Sequence, residues 1–302
     1  MKKKITLNLD KIAVVIITHN GAQWIEKCLQ SVLESSVALQ ILVVDNASSD
    51  TTVSIVQKYQ NISLEISHEN LGFGKANNIA IKKAIDLRFK NFFLLNQDTW
   101  IKKDTIEKLV SQQNKNENFG VLSPLHFDNG AINLDTNFAT YYSMRKKHAD
   151  NLFEVPFVNA AAWLVSLKCF EKVGLFEPTF NHYGEDRNFC NRAHFHKFKI
   201  GIVDDAKIVH DRTIVRKFAK DLQQSKYAIL NTFLNINLSV FQAFCAAFKQ
   251  VFGLPKYFHK FYGFPKSVLM FFNLLDYFLI NIVHWSKINT IRKKSVKGKN
   301  GM

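Results

Sequence analysis

Carboxylates recur at three well-separated places in this chain, each where a side chain can do chemistry. Asp45 lies in Val43-Val44-Asp45-Asn46-Ala47-Ser48-Ser49-Asp50, Asp98 in Leu94-Leu95-Asn96-Gln97-Asp98-Thr99, and Glu185 and Asp186 follow Tyr183-Gly184. The first two sites end short apolar runs, so their side chains emerge at the ends of buried strands, the edge where open α/β sheets bind ligands. Converging on one cleft, such acids can divide three tasks: grip a nucleotide, hold a metal and take a proton.

The elements that must position them alternate in type. Ile12 to Thr18 is a β-branched run stopped by His19-Asn20-Gly21, as a central parallel strand would be. Trp24 to Leu33 has helical periodicity, Ile41 to Val44 reads as a strand, and Ser49-Asp50-Thr51 can cap a helix running to about Tyr59. Strands at Ile62–Ile66 and Phe92–Leu95 alternate with helices at Gly74–Leu87 and from Asp104 to about Gln112, and Val121 opens a further strand. This rhythm argues a doubly wound, mostly parallel, Rossmann-like sheet. Beyond it the pattern predicts β-pieces at Phe138–Tyr142 and Val155–Val158, helices at Cys169–Val173 and Glu185–His196, and extended segments at Gly201–Val203 and Lys207–His210.

An apolar fraction of 47% over 302 residues excludes wholesale disorder. The net charge of +15 is unevenly placed: from Arg212 onward there are 15 Lys and Arg against two acids, Asp221 and Asp276. Cys28, Cys169, Cys190 and Cys245 show no paired or metal-ligand spacing, which fits reduced thiols in a cytosolic compartment. Met1-Lys2-Lys3-Lys4 resembles the start of a signal peptide, but no apolar core follows it, so export is not expected.

Across roughly 12–215 the ordered motifs resemble family 2 glycosyltransferases of the GT-A fold, especially their rhamnosyltransferase-like branch. They are Val15-Ile16-Ile17-Thr18-His19-Asn20, the Asp45 segment, Glu69-Asn70-Leu71-Gly72-Phe73-Gly74-Lys75-Ala76-Asn77-Asn78, Leu95-Asn96-Gln97-Asp98, Asn159 to Trp163, Val173 to Glu177, Gly184-Glu185-Asp186 and His210. Two positions depart from the common pattern. Asn96-Gln97-Asp98 stands for the frequent Asp-x-Asp, leaving one carboxylate, and Asn188 stands where relatives often carry Asp.

The resemblance implies an inverting transfer of a sugar, L-rhamnose from dTDP-rhamnose in the first instance, onto a saccharide acceptor that is lipid-linked. A UDP-hexose-dependent transferase and a non-catalytic sugar-nucleotide binder are the alternatives. It assigns Asp186 as general base with Glu185 beside it, and Asp98 and His210 to a divalent cation, Mn²⁺ or Mg²⁺. Read without the family, His210 is an ordinary histidine beside a strand. Asp45 would accept the N3–H of uracil or thymine, with Thr18, Asn20, Gly72, Lys75, Asn78 and Asn96 around the nucleotide. Trp163 and Tyr183 are candidates to stack on acceptor sugars, packing being the plain alternative. A nucleotidyltransferase on a similar sheet would need a basic phosphate loop that Thr18-His19-Asn20-Gly21 lacks.

The organisation expected is a catalytic domain over 1–215, with its nucleotide-binding half at 12–125 and its acceptor half at 126–215, then a helical basic extension over 216–302. On a helix over 265–288, Lys266, Asn273, Asp276, His284 and Lys287 form a narrow polar stripe in an otherwise broad apolar surface. A central Asp costs roughly 2.5–3.5 kcal/mol in a bilayer and each Leu, Ile, Phe or Val returns only about 0.3–0.6. An interfacial helix on the inner, cytoplasmic face of the cell membrane is therefore expected over a spanning one, aided by the surrounding lysines. A helical pair packed on the catalytic domain is the alternative. No nucleic-acid motif accompanies the charge.

Overall fold

Alternate side chains of the first strand enter two different cores. In β1 (Ile12–Thr18), Ala13 and Val15 face one layer of helices, while Ile12, Val14 and Ile16 face the other. This computed structural model describes residues 12–212 and 215–301; the lysine-rich start at residues 1–4 lies outside the described residues.

The chain continues through α1 (Ile25–Leu33), β2 (Leu39–Asp45), α2 (Thr52–Val56), β3 (Ile62–Ile66), α3 (Phe73–Asp86), β4 (Asn91–Asn96) and β5 (Thr99–Ile101). Next come α4 (Thr105–Lys115), β6 (Phe119–Phe127), α5 (Thr136–Ser143), β7 (Lys146–Ala149), β8 (Leu152–Val155), β9 (Ala162–Ser166), α6 (Leu167–Val173) and α7 (Glu185–Phe195). The long strand β10 (Lys199–His210) precedes the helices α8 (Phe218–Leu234), α9 (Val240–Val283) and α10 (Trp285–Val296).

One sheet runs in the order β3-β2-β1-β4-β9-β6-β10-β8-β7, with β5 pairing to β10. Its first four strands are parallel, as expected. The remainder is mixed, because β9 runs antiparallel between β4 and β6. Register places the chemistry: Thr18 lies opposite Asp45, Ile17 opposite Asn96, and His210 opposite Thr99. The carboxyl ends of β1, β2, β4 and β10 thus meet at one edge.

Several expectations need correction. Phe138–Tyr142 is helical, within α5, because Asp135 caps it through Asn137 N–H and Phe138 N–H. Phe138 then points inward to stack on His126, 4.3 Å between ring centres. The piece expected at Val155–Val158 ends at Val155, before Pro156. The two extended segments before His210 are one strand with a register shift between Val203 and Lys207.

The tail departs further. α9 is broken at Gly263 (φ 72°), and its arms fold back on each other: Phe248 meets Phe278 at 5.6 Å and Phe252 meets Phe271 at 5.3 Å. Both arms pack on α8, burying Val251, Met270, Leu274 and Phe278 against Leu230 and Phe233. The chain then returns to the end of α6 and the loop that follows it. Asn300 is buried, its amide donates to Glu177 at 2.6 Å, and its carbonyl accepts from Leu175 N–H. The lysine-rich end is therefore docked rather than a simple solvated tail.

Candidate active site

The sheet edge opens into two adjoining cavities that share Phe73, Asn96 and His182. One, about 610 Å³, is bordered by Thr18, His19, Asn46, Gly72, Lys75 and Asp98. The other, about 450 Å³, is bordered by Tyr141, Tyr183, Glu185, Asp186, Arg187 and Arg212, with Lys220, Tyr227 and Asn231 of α8 opposite. These are two halves of one cleft.

Backbone clamps shape the first half. The Gln97 amide makes a paired contact with His19, accepting from its N–H and donating to its carbonyl, both at 3.0 Å. This locks the ends of β1 and β4 together and leaves no room for a side chain at Gly21, whose Cβ would lie 2.0 Å from Gln97 Oε1. Asn46 accepts from Leu71 N–H at 2.7 Å and donates to Asn70 at 2.8 Å, fixing the loop before α3.

Beneath them Asp45 is buried and already engaged. Its carboxylate accepts from Thr18 Oγ1 (2.8 Å), Ser48 Oγ (2.6 Å) and Ser48 N–H (2.8 Å). It sits under the cleft floor, whereas its neighbours Thr18 and Asn46 border the cavity.

Asp98 Oδ1 lies 3.3 Å from His210 Nε2. Asp98 Oδ1 and His210 Nδ1 are both buried without a hydrogen-bond partner, a costly condition unless something completes the set. Among the described residues no three His, Cys, Asp or Glu converge as a metal cluster. One carboxylate and one imidazole nonetheless fit a divalent cation whose remaining ligands are substrate phosphates, the usual habit of Mg²⁺.

In the second half, Glu185 and Asp186 open α7. Burial, then the charge of Asp186, pushes the Glu185 carboxyl up to about 8, and Glu185 Oε2 is an orphaned acceptor. Burial also raises Asp186, against the Arg187 N–H at 2.7 Å and the Arg187 guanidinium, which favour its ionised form. A carboxyl raised above the ordinary range is a stronger base when ionised. Arg212 enters the same space, held at both oxygens of Asp135 (2.7 and 2.9 Å).

The loop 181–184 bridges the halves and is held from both sides. Asn181 N–H donates to Tyr227 Oη at 3.3 Å, and Asn231 donates to Gly184 O at 2.9 Å. Gly72 (φ 78°) approaches so closely that a Cβ would lie 1.6 Å from Asn181 O, a backbone atom. Gly72→Ala is expected to displace this loop and lower turnover at least tenfold, with a drop in thermal stability on the order of 1–3 kcal/mol from backbone strain. Melting and steady-state kinetics on the one variant measure both.

The placement of the remaining candidates is uneven. Lys75 borders the first half, its Nζ 3.5 Å from Asn181 Oδ1, and Tyr183 borders the second. Asn20 instead braces a turn, accepting from Ser49 N–H and Oγ. Asn78 faces away, exchanging hydrogen bonds with the backbone of Phe176 at 2.8 and 2.9 Å. Trp163 is fully buried between Phe176 and Phe189, so its ring offers no face to a sugar. Asn188 accepts from Arg192 Nε, and that buried guanidinium also ties α7 to the carbonyls of Val173 and Leu175.

Asn46, Gln97, His182, Arg212 and the α8 wall escaped the sequence reading. Gln97 had a signal, a polar residue between two site residues. The spacing of Lys220, Gln224, Tyr227, Ala228 and Asn231 was a second, one polar helix face opposite the apolar one.

Known proteins resemble this chain in sequence and fold. The chain is 25% identical over 241 residues to a low-salt glycan biosynthesis hexosyltransferase of Haloferax volcanii, covering 76% of each. It is 26% identical over 212 residues to a dTDP-rhamnosyl transferase of Shigella flexneri, covering 67% of this chain and 69% of that one. A shorter match, 32% identity over 104 residues, links it to the poly(ribitol-phosphate) beta-N-acetylglucosaminyltransferase TarS of Staphylococcus aureus, but spans only 18% of that protein.

Among solved structures, TarS 1-349 in complex with UDP-GlcNAc superposes with a TM-score of 0.66 at 18% identity, covering 96% of this chain and 92% of that one. A mannosyltransferase of Pyrobaculum calidifontis in complex with GDP-Man and Mn²⁺ gives 0.59 at 15% identity, covering 95% and 86%. These likenesses establish the GT-A fold. The sequence model of glycosyl transferase family 2 matches residues 13–174, from β1 through α6, and the chain belongs to that family.

Proposed function

We propose that this glycosyltransferase carries out inverting transfer of a sugar from a nucleotide diphosphate to a saccharide acceptor, with Asp186 as the base. The observation that supports it most is the two-part cleft, with Asp98 on the wall of one half, backed by the buried His210, and Glu185 and Asp186 in the other. The nucleotide and diphosphate occupy the first half, along Thr18, Asn46, Gly72, Lys75 and Asn96. Asp45 acts from beneath by holding Thr18 and the turn at Ser48. The acceptor enters the second half, and its hydroxyl loses a proton to Asp186 as it attacks the anomeric carbon. Asp98 and His210 would hold a divalent cation, which when bound would supply charge neutralisation for the departing diphosphate.

Its sugar is rhamnose from dTDP-rhamnose on the strength of the branch resemblance, with a UDP-hexose as second reading. A panel of nucleotide sugars, with Mn²⁺ and Mg²⁺, tests this by thermal stabilisation: dTDP-rhamnose is expected to raise the melting point most. A larger rise with a UDP-hexose selects the second reading.

Residues 216–302 form the membrane-associating part in this reading, although α8 also walls the acceptor half. The α9 hairpin supports it, because large apolar side chains point outward along both arms. Phe241, Phe264 and Val283 are 75%, 71% and 79% exposed, and Phe244, Phe248, Phe252 and Phe272 join them. A patch of this extent marks an interaction surface, and the lysines at 249, 256, 260 and 266 suit an anionic leaflet. Among the described residues, one helix is long and apolar enough to span a membrane by length and composition. Each arm, however, spends its inner face on α8, which favours a hairpin lying in the interface on the cytoplasmic side, where a lipid-linked acceptor is presented. Flotation with anionic liposomes is expected to carry wild type upward. Phe241→Ser/Phe264→Ser/Phe272→Ser should stay at the bottom while remaining folded; equal flotation of the two contradicts the membrane assignment.

A further inference from the structure

His182 occupies the junction of the two halves, with Phe73 and Asn96. Phe73 is apolar and Asn96 carries no charge, so the imidazole is the titratable side chain there. On the donor reading proposed above, the bond between anomeric carbon and diphosphate lies across this junction. Its base side is in one half and Asp186 in the other.

Cationic groups gather around the same point. Enclosure between the cleft walls, then the charges of Lys220 and His19, holds His182 below the ordinary histidine value, while the side chain stays exposed to the cleft. Lys75 reaches the neighbouring Asn181. None of the ion pairs among the described residues involves His182, Lys75 or Lys220. Lys75 and Lys220, lysines without carboxylate partners on either side of the His182 ring, are arranged to receive an anion. The loop that carries His182 is fixed by Gly72, Tyr227 and Asn231, so the ring is presented rather than free to wander.

The metal position gives a reason for such a group. A single carboxylate and an imidazole, Asp98 and His210, make a thin ligand set for a leaving group that gains a full negative charge.

We propose that His182 donates a hydrogen bond to the β-phosphate of the nucleotide donor and stabilises it as it leaves. The carbon–oxygen bond to the diphosphate breaks, its electron pair stays on the β-phosphate oxygen, and the new bond forms to the acceptor oxygen. The acceptor's proton goes to Asp186. His182 transfers no proton in this step; it supplies a donor where charge develops.

Calorimetric titration of full-length wild type, His182→Ala and His182→Gln with UDP, dTDP, UMP and dTMP tests the contact. Loss of one hydrogen bond to a charged group is expected to weaken diphosphate binding about tenfold in the Ala variant. Monophosphate binding should change less than about twofold, and Gln, which keeps a donor, should recover most of the loss. Monophosphate affinity also reports that the variant is folded. An unchanged ratio of diphosphate to monophosphate affinity in His182→Ala overturns the proposal. If wild type binds neither series, the donor-site reading itself fails, a separate result that removes the proposal with it.

Discussion

Asp186→Asn is expected to lower sugar transfer by about 10²- to 10⁴-fold, the range by which a positioned base accelerates proton removal. The substitution is isosteric, and an amide oxygen still accepts the Arg187 N–H that the carboxylate accepts now. The first turn of α7 should therefore persist, and nucleotide affinity should stay within about twofold because Asp186 borders the other half of the cleft. The pH profile carries a second signature. Burial raises the Asp186 carboxyl, so the ionised, base-competent form is lost at a higher pH than in an ordinary aspartate. Turnover in wild type should fall as pH drops through that raised value, and the acid limb should vanish from the residual activity of Asp186→Asn. Full transfer by the variant, or an unchanged limb, contradicts the assignment.

Asp98→Asn is expected to cost about 10²- to 10³-fold, on the scale of removing one group that meets transition-state charge. Asp98 Oδ1 has no hydrogen-bond partner, and its neighbour at 3.3 Å is an imidazole with an orphaned second nitrogen. An amide there keeps the shape and removes the anion. A direct readout separates this from a folding defect. Nucleoside diphosphate binding by wild type should tighten when Mn²⁺ or Mg²⁺ is added, and by Asp98→Asn it should not. Equal enhancement in both proteins would place the cation elsewhere.

What the sequence disclosed follows from how each feature is encoded. The central strands were legible because a strand buried on both faces reads as one unbroken apolar run, as in Ile12 to Ile17. The acids at strand ends were legible because polarity begins where the sheet stops. Residue type misled where burial decides the role. Trp163 and Asn78 have the chemistry of ligand-binding groups, yet one is a core ring and the other a backbone clamp on Phe176. Asp45 was located at the correct edge, but its hydrogen bonds to Thr18 and Ser48 could not be read from spacing.

Caps that override residue preference, and partners far apart in the chain, were the least accessible. Asp135 turned Phe138–Tyr142 into a helix by capping it, an event that outweighed an aromatic-rich stretch with strand preference. The fold-back at Gly263 depends on the two arms of α9 finding α8, and the wall that α8 gives the acceptor half depends on Tyr227 and Asn231 finding the loop at 181–184. The Tyr227 and Asn231 contacts join segments more than 40 residues apart, and no local periodicity announces any of these pairings.

Release of free nucleoside diphosphate from a panel of dTDP- and UDP-sugars tests the cleft most directly, with wild type and Asp98→Asn assayed side by side. Slow, divalent-stimulated release from at least one donor by wild type, falling by two orders of magnitude or more in the variant, is the result this account predicts. Identical release by both proteins, or none by wild type with any donor and acceptor supplied, would contradict it.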